Sequence, residues 1–200
     1  MTDATVLEGY TVNDPQIAAQ RRANIPIKQL SHTAVRVMDM RKTRAFYEDL
    51  LGLPMISSQI ADFDVVTGEK SNYIHCFFEM ADGASLAFFQ FEEGFRGALA
   101  EHTDDPFERH LGLRADSIEY VDDLYLRAKA ASVHCYIVDH DWCYSLYMID
   151  PDGETVEVTL HRPSADVVLD QPDVARERLE HWLANPTLSD FRARSKRVDS

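Results

Sequence analysis

The chain has 200 residues, 45% of them apolar, and a formal net charge of −14. That length suits one domain, or two small modules packed as one. The acidic balance argues against a nucleic-acid partner, which needs a concentrated basic surface. Lys and Arg gather only near 20–22, 41–44 and 192–197, and the last group, RARSKR, reads as a solvated tail. No apolar run approaches the ~18 residues of a membrane helix, so no membrane association is expected. The opening MTDATVLEGYTVNDP has no apolar stretch typical of a signal peptide. Cys76, Cys135 and Cys143 are an odd number without paired spacing, so reduced thiols and a cytoplasmic setting are expected.

Residues 1–28 read as an N-terminal arm with a short helix at Pro15–Ala23, capped by Asp14. A strand follows at 31–37, with Thr33, Val35 and Val37 on one face and His32, Ala34 and Arg36 on the other. Asp39 opens a helix to about Leu51, with Phe46 and Leu50 inward and Gly52 as its stop. Strands are expected at 54–62, 72–80 and 85–91, the last two joined by a tight turn at Asp82-Gly83. An acidic, glycine-bearing connector spans 92–107. The pattern then restarts: a strand at 110–116, a helix at about 121–131, and strands at 134–138, 144–149 and 155–160, with Asp152-Gly153 in the last hairpin. The helix has Leu124, Ala128 and Ala131 inward.

The expected fold is therefore α+β, with two βαβββ modules at 31–91 and 110–160 within a domain of 29–161. Residues 162–200 read as a C-terminal helical extension, with a helix opening at Pro172 and Pro186 beyond its end.

Three strand positions carry chemistry. His32 and His110 point away from the apolar faces of the strands that open each module. On the last strand Val156, Val158 and Leu160 form the apolar set, leaving Glu157 opposite. Two imidazoles and one carboxylate make the facial triad that suits non-haem Fe(II), with Mn(II) as the alternative ion. Three protein ligands leave positions open for substrate, where a structural zinc site would be closed by four.

These residues resemble the vicinal oxygen chelate superfamily. SHTAVRVMDMRKTRAFYEDLLGL is similar to its first strand and helix, and DPDGETVEVTL to its last hairpin and metal-bearing strand. The resemblance covers about 29–161, and it implies that the two modules curl into one cupped mixed sheet around a metal. In glyoxalase I a fourth ligand, a glutamate, stands where this chain has Ala87, so the resemblance points away from glyoxalase activity. Val138-Asp139-His140, Leu146-Tyr147 and Asp150-Pro151-Asp152-Gly153, leading to Glu157, resemble the extradiol dioxygenase signature.

That resemblance implies an Fe(II)-dependent enzyme that cleaves a catechol ring with O2 beside its two hydroxyls, 2,3-dihydroxybiphenyl being one candidate. It implies Tyr147 as the tyrosine that hydrogen-bonds the catecholate and His140 as a histidine at the substrate end. It also implies a proton-transfer histidine near O2, for which His102 is the first candidate and His75 the second. Phe89 and Phe91 share a face with Ala87 and could wall an aromatic pocket, and Trp142 lies nearby in sequence. Single-site members commonly oligomerise, so a homo-oligomer is expected, with 1–28 and 163–200 as candidate seams. The rival readings are another metal enzyme of the superfamily (lyase, epimerase or thiol transferase) and a non-catalytic small-molecule-binding protein of the same fold.

Overall fold

The computed structural model describes residues 15–64, 66–94, 96–99, 105–162, 172–184, 186 and 196–197. Helix α1 spans Pro15–Ala23. Strand β1 (His32–Arg36) is followed by helix α2 (Met40–Arg44), a π-helical segment (Ala45–Leu50), and strands β2 (Met55–Phe63), β3 (Lys70–Glu79) and β4 (Ser85–Phe91). The second module repeats this order: β5 (Leu111–Ala115), α3 (Ile118–Ala130), β6 (Cys135–Asp139), β7 (Cys143–Ile149) and β8 (Thr155–His161). Helix α4 (Pro172–Ala184) and the two-residue β9 (Lys196–Arg197) complete the described chain.

Each module makes its own sheet, in the order β1-β4-β3-β2 and β5-β8-β7-β6-β9. β1 runs parallel to β4, and β5 parallel to β8, so each pair needs a helical crossover. The remaining strands of each module meander antiparallel through short turns. Gly83 and Gly153 adopt φ of 83° and 92° in the two Asp-Gly hairpins, a conformation that penalises a side chain. The edge strands β1 and β5 line a common cleft of about 570 Å³, with Thr33, Val35 and Arg36 on one side and Arg109, His110 and Leu111 on the other.

Helix α2 with its π-helical continuation covers one face of the first sheet and α3 one face of the second, and a single apolar core joins the two. Val37, Phe78, Leu86 and Phe88 of the first module pack in one cluster with Val121, Leu124, Leu146, Met148, Val156 and Val158 of the second. Polar bonds fix the seam. Tyr120 donates its hydroxyl to the Leu51 carbonyl at 2.6 Å, and buried Tyr47 donates to Asp150 Oδ2 at 2.9 Å. Asp150 Oδ1 in turn accepts from the amides of Asp152 and Glu154, so both oxygens of this buried carboxylate are used.

Three local departures from the sequence reading have physical causes. The first helix widens into a π-helix, with Leu51 N donating to Phe46 O at 3.0 Å. That extra residue buries Phe46 and Tyr47 side by side and leaves Leu50 half-buried. Helix α3 begins at Ile118 because the Ser117 hydroxyl accepts from Tyr120 N at 3.2 Å. Val121, Leu124 and Ala128 are its buried residues, and Ala131 is the exposed C-cap. The basic tail was read as wholly solvated, yet Lys196–Arg197 pairs antiparallel with Val138–Asp139. The open edge of β6 offers unpaired backbone groups that recruit it.

Candidate metal centre

Strand parity builds the candidate site on the face of the second sheet turned away from the helix. On β8, Val156 and Val158 enter the core while Glu157 and Thr159 face away; on β7, Leu146 and Met148 enter it while Cys143, Ser145 and Tyr147 face away. The register then sets Gly112, Glu157 and Tyr147 side by side, with Ser145 beside Thr159. His110 stands one residue before β5.

Glu157, 8% exposed, has both oxygens engaged. Its Oε2 lies 3.0 Å from His110 Nε2, and its Oε1 accepts from the Tyr147 hydroxyl at 3.1 Å. His110 Nδ1 lies 2.7 Å from the Pro106 carbonyl, which can only accept, so Nδ1 carries the proton. Nε2 therefore aims at a carboxylate oxygen with its lone pair or with a second proton. This nitrogen and oxygen could hold a cation between them, and the Pro106 carbonyl fixes the ring's orientation. Burial and the adjacent Glu157 carboxylate push the Tyr147 phenol well above its usual range, so it stays protonated and donates. Tyr136 stacks on Tyr147 at 5.2 Å and 15°.

The β6–β7 turn carries the next two groups. His140 Nε2 is 3.3 Å from the Tyr147 hydroxyl. Asp141 adopts a φ of 64°, and His140 N donates to Cys143 O at 2.9 Å, closing the turn. Arg162 locks it from outside: its two terminal nitrogens donate to both Asp139 oxygens at 2.6 and 3.0 Å, and one reaches Asp141 O at 3.1 Å. Sequence reading gave Cys143 no role beyond a reduced thiol and passed over Arg162. Each matters through a contact across the turn, and neither sits in a pattern of its own.

The first sheet carries His32, His75 and Phe89 on its uncovered face. His32 is exposed, with Ser31 Oγ 3.1 Å from its Nδ1 and the Phe77 ring 5.8 Å away edge-on. His75 stacks on Phe89 at 3.6 Å and 16°, and its Nε2 is buried without a hydrogen-bond partner among the described residues. Burial first, and His32 second, hold the His75 imidazole below its usual pKa. The Phe91 ring lies tilted against Tyr73, 5.1 Å between centroids. Trp142 lies 6.3 Å from the His140 ring, on the second sheet's side.

The structure thus gathers His110, Glu157, Tyr147 and His140 on one sheet and His32, His75 and Phe89 on the other. His32, His110 and Glu157 do not bring three ligand atoms within 4.8 Å of one another; among the described residues only His140, Cys143 and Glu157 do. β1 borders the same cleft as His110 through Thr33, Ala34, Val35 and Arg36; His32 is not among the residues that line it. His102 falls in 100–104, outside the described residues, as does most of the connector's end. No described helix is long and apolar enough to cross a membrane.

Comparison with known proteins agrees with this architecture. The chain is similar to a glyoxylase/bleomycin resistance protein/dioxygenase domain from Frankia sp. EAN1pec, at 18% identity and a TM-score of 0.54 over 68% of this chain and 99% of that one. It is similar to the fosfomycin resistance protein FosX from Listeria monocytogenes in complex with Mn(II) and sulfate, at 26% identity and a TM-score of 0.50, covering 72% and 99%. The oxidase ChaP-H2 matches at 20% identity and a TM-score of 0.50, covering 69% and 96%. None of the curated proteins matches the sequence. The family model described as Glyoxalase/Bleomycin resistance protein/Dioxygenase superfamily matches residues 29–158, and the chain belongs to that superfamily.

Proposed function

We propose that the chain is an extradiol ring-cleaving dioxygenase that inserts both atoms of O2 into a catechol, using Fe(II), with Mn(II) as the alternative ion. The observation that carries the reading is the continuous row His110–Glu157–Tyr147–His140, linked at 3.0, 3.1 and 3.3 Å. His110 and Glu157 would hold the ion, with His32 of β1 as third ligand. The imidazole–carboxylate donor set suits a divalent transition metal with open positions. A bound Fe(II) supplies the redox chemistry that lets a closed-shell catechol react with O2.

The chain's own groups do the rest. Tyr147 presents a protonated hydroxyl beside Glu157 and so can donate to a catecholate oxygen, fixing which oxygen faces the metal pair. His140, in contact with that hydroxyl, can take the proton a catechol sheds on binding and return it when the ring opens. His75 and Phe89, already stacked, offer an aromatic wall to a planar ring, a bicyclic one included. The proton-transfer role at O2 falls to His102 or His75. A homo-oligomer in which the terminal segments form the seams is part of the same reading.

The test is aerobic incubation of Fe(II)-loaded chain with catechol and 2,3-dihydroxybiphenyl. Oxygen uptake with a yellow ring-opened product supports the proposal; neither signal with any catechol overturns it. One observation favours a second reading, the 26% identity to the Mn(II)-bound fosfomycin resistance protein. Under that reading Mn(II)-loaded chain alters fosfomycin, followed by phosphorus NMR, and leaves catechols untouched.

A further inference from the structure

His140, Cys143 and Glu157 offer an imidazole nitrogen, a thiol sulfur and a carboxylate oxygen that lie within 4.8 Å of one another. His110 meets the Glu157 carboxylate at Oε2, whereas Oε1 meets Tyr147, which leads on to His140. We propose that these three residues form a second metal site, selective for a thiophilic divalent ion such as Zn2+, that shares Glu157 with the His110 pair.

Donor chemistry and geometry both support the assignment. One sulfur, one nitrogen and one oxygen match zinc's preferences at distances the ligands can reach with small side-chain shifts, and the sulfur favours zinc over a hard ion. Cys143 is 1% exposed and its Sγ has a 3.6 Å contact to Ser145 Oγ, so the thiol faces the site instead of bulk water. Binding would deprotonate it, the proton leaving to solvent. The two turn ligands are held in place before any ion arrives, by the His140 N–Cys143 O bond and by Arg162 clamped on Asp139. Three ligands leave one position for water or for the Tyr147 hydroxyl, 3.3 Å from His140 Nε2. Because Glu157 serves both sites, zinc in this one weakens the hold on an ion at His110, and zinc becomes a competitor of the metal that supports turnover.

The site does not depend on the dioxygenase reading, and the two fail separately. The metal-free full-length chain is titrated with Co2+, a spectroscopic stand-in for Zn2+, and followed by the near-ultraviolet thiolate-to-cobalt charge-transfer band. The band is expected in the wild type and in His110→Ala, and expected to vanish in Cys143→Ser with the far-ultraviolet circular dichroism unchanged. His140→Ala, which keeps every thiol, should weaken cobalt binding about tenfold or more. No thiolate band in the wild type overturns the proposal. So does a band that survives in Cys143→Ser, which would belong to Cys76 or Cys135, or one unaffected by His140→Ala.

Discussion

Ala87 on β4 and Glu157 on β8 occupy matching places in their sheets. Ala87 is paired with Ala34 and Phe77, and Glu157 with Gly112 and Tyr147. One step along, His75 beside Phe89 corresponds to Ser145 beside Thr159. The first sheet therefore turns an aromatic face outward, with an imidazole stacked between rings. The second turns out a hydrogen-bonded carboxylate, phenol and imidazole. The buried faces are alike in kind, because both must pack against a helix. The repeat fixes topology and core, while the faces turned away from the helices are free to diverge, and only the second carries a carboxylate at this place.

The comparison is broken hardest at Glu157. Glu157→Gln leaves His110 without an anionic co-ligand, so metal retention should fall by more than the roughly 10–100-fold that outer-shell changes cost, and turnover with it. Metal analysis and oxygen uptake measure this; wild-type metal content in the variant would contradict the assignment. Tyr147→Phe makes the second sheet resemble the first at the position of Phe77. It should keep the metal and lower kcat about 10–100-fold, the scale of one lost donor or proton-transfer contact. An unchanged kcat with a raised KM would reduce Tyr147 to a binding role.

Arg162→Ala frees the β6–β7 turn. The pair is half-buried, so unfolding free energy should drop by only about 1 kcal/mol, read by urea denaturation. His140-dependent turnover should suffer more than Tm does. The smallest effect lies on the first sheet. His75 is held below its ordinary value of 6.5, so below that pH the unfolded chain binds a proton the folded chain resists. Its contribution to stability is therefore full above about pH 6.5 and is lost as pH falls through and below that value. His75→Phe should flatten this acid limb of the stability profile in chelator, and an unaltered limb would assign the loss to other groups.

Much of this frame was legible in the sequence. Alternation over 85–91 and 155–160, closed by Asp-Gly turns, sets strands whose parity puts Glu157 opposite Val156 and Val158. The same parity places Tyr147 beside it and His32 and His110 off the core. The π-helical widening at Ala45 was not legible, because it comes from burying Tyr47 against Asp150, over a hundred residues away. Cys143 joining His140 and Glu157 depends on a turn with Asp141 at positive φ, and the Arg162 clamp on Asp139 bridges more than 20 residues. Composition and periodicity carry no signal for such contacts. The distance of His32 from the His110–Glu157 pair likewise depends on how two sheets meet, which strand parity cannot express.

The most direct test is metal content after anaerobic Fe(II) loading and removal of excess ion, in a Cys143→Ser background that leaves only the His110 site. The account predicts near-stoichiometric iron in that background, and its loss when His110→Ala is added. Iron that persists after His110→Ala would contradict the assignment of His110 and Glu157 as the metal pair.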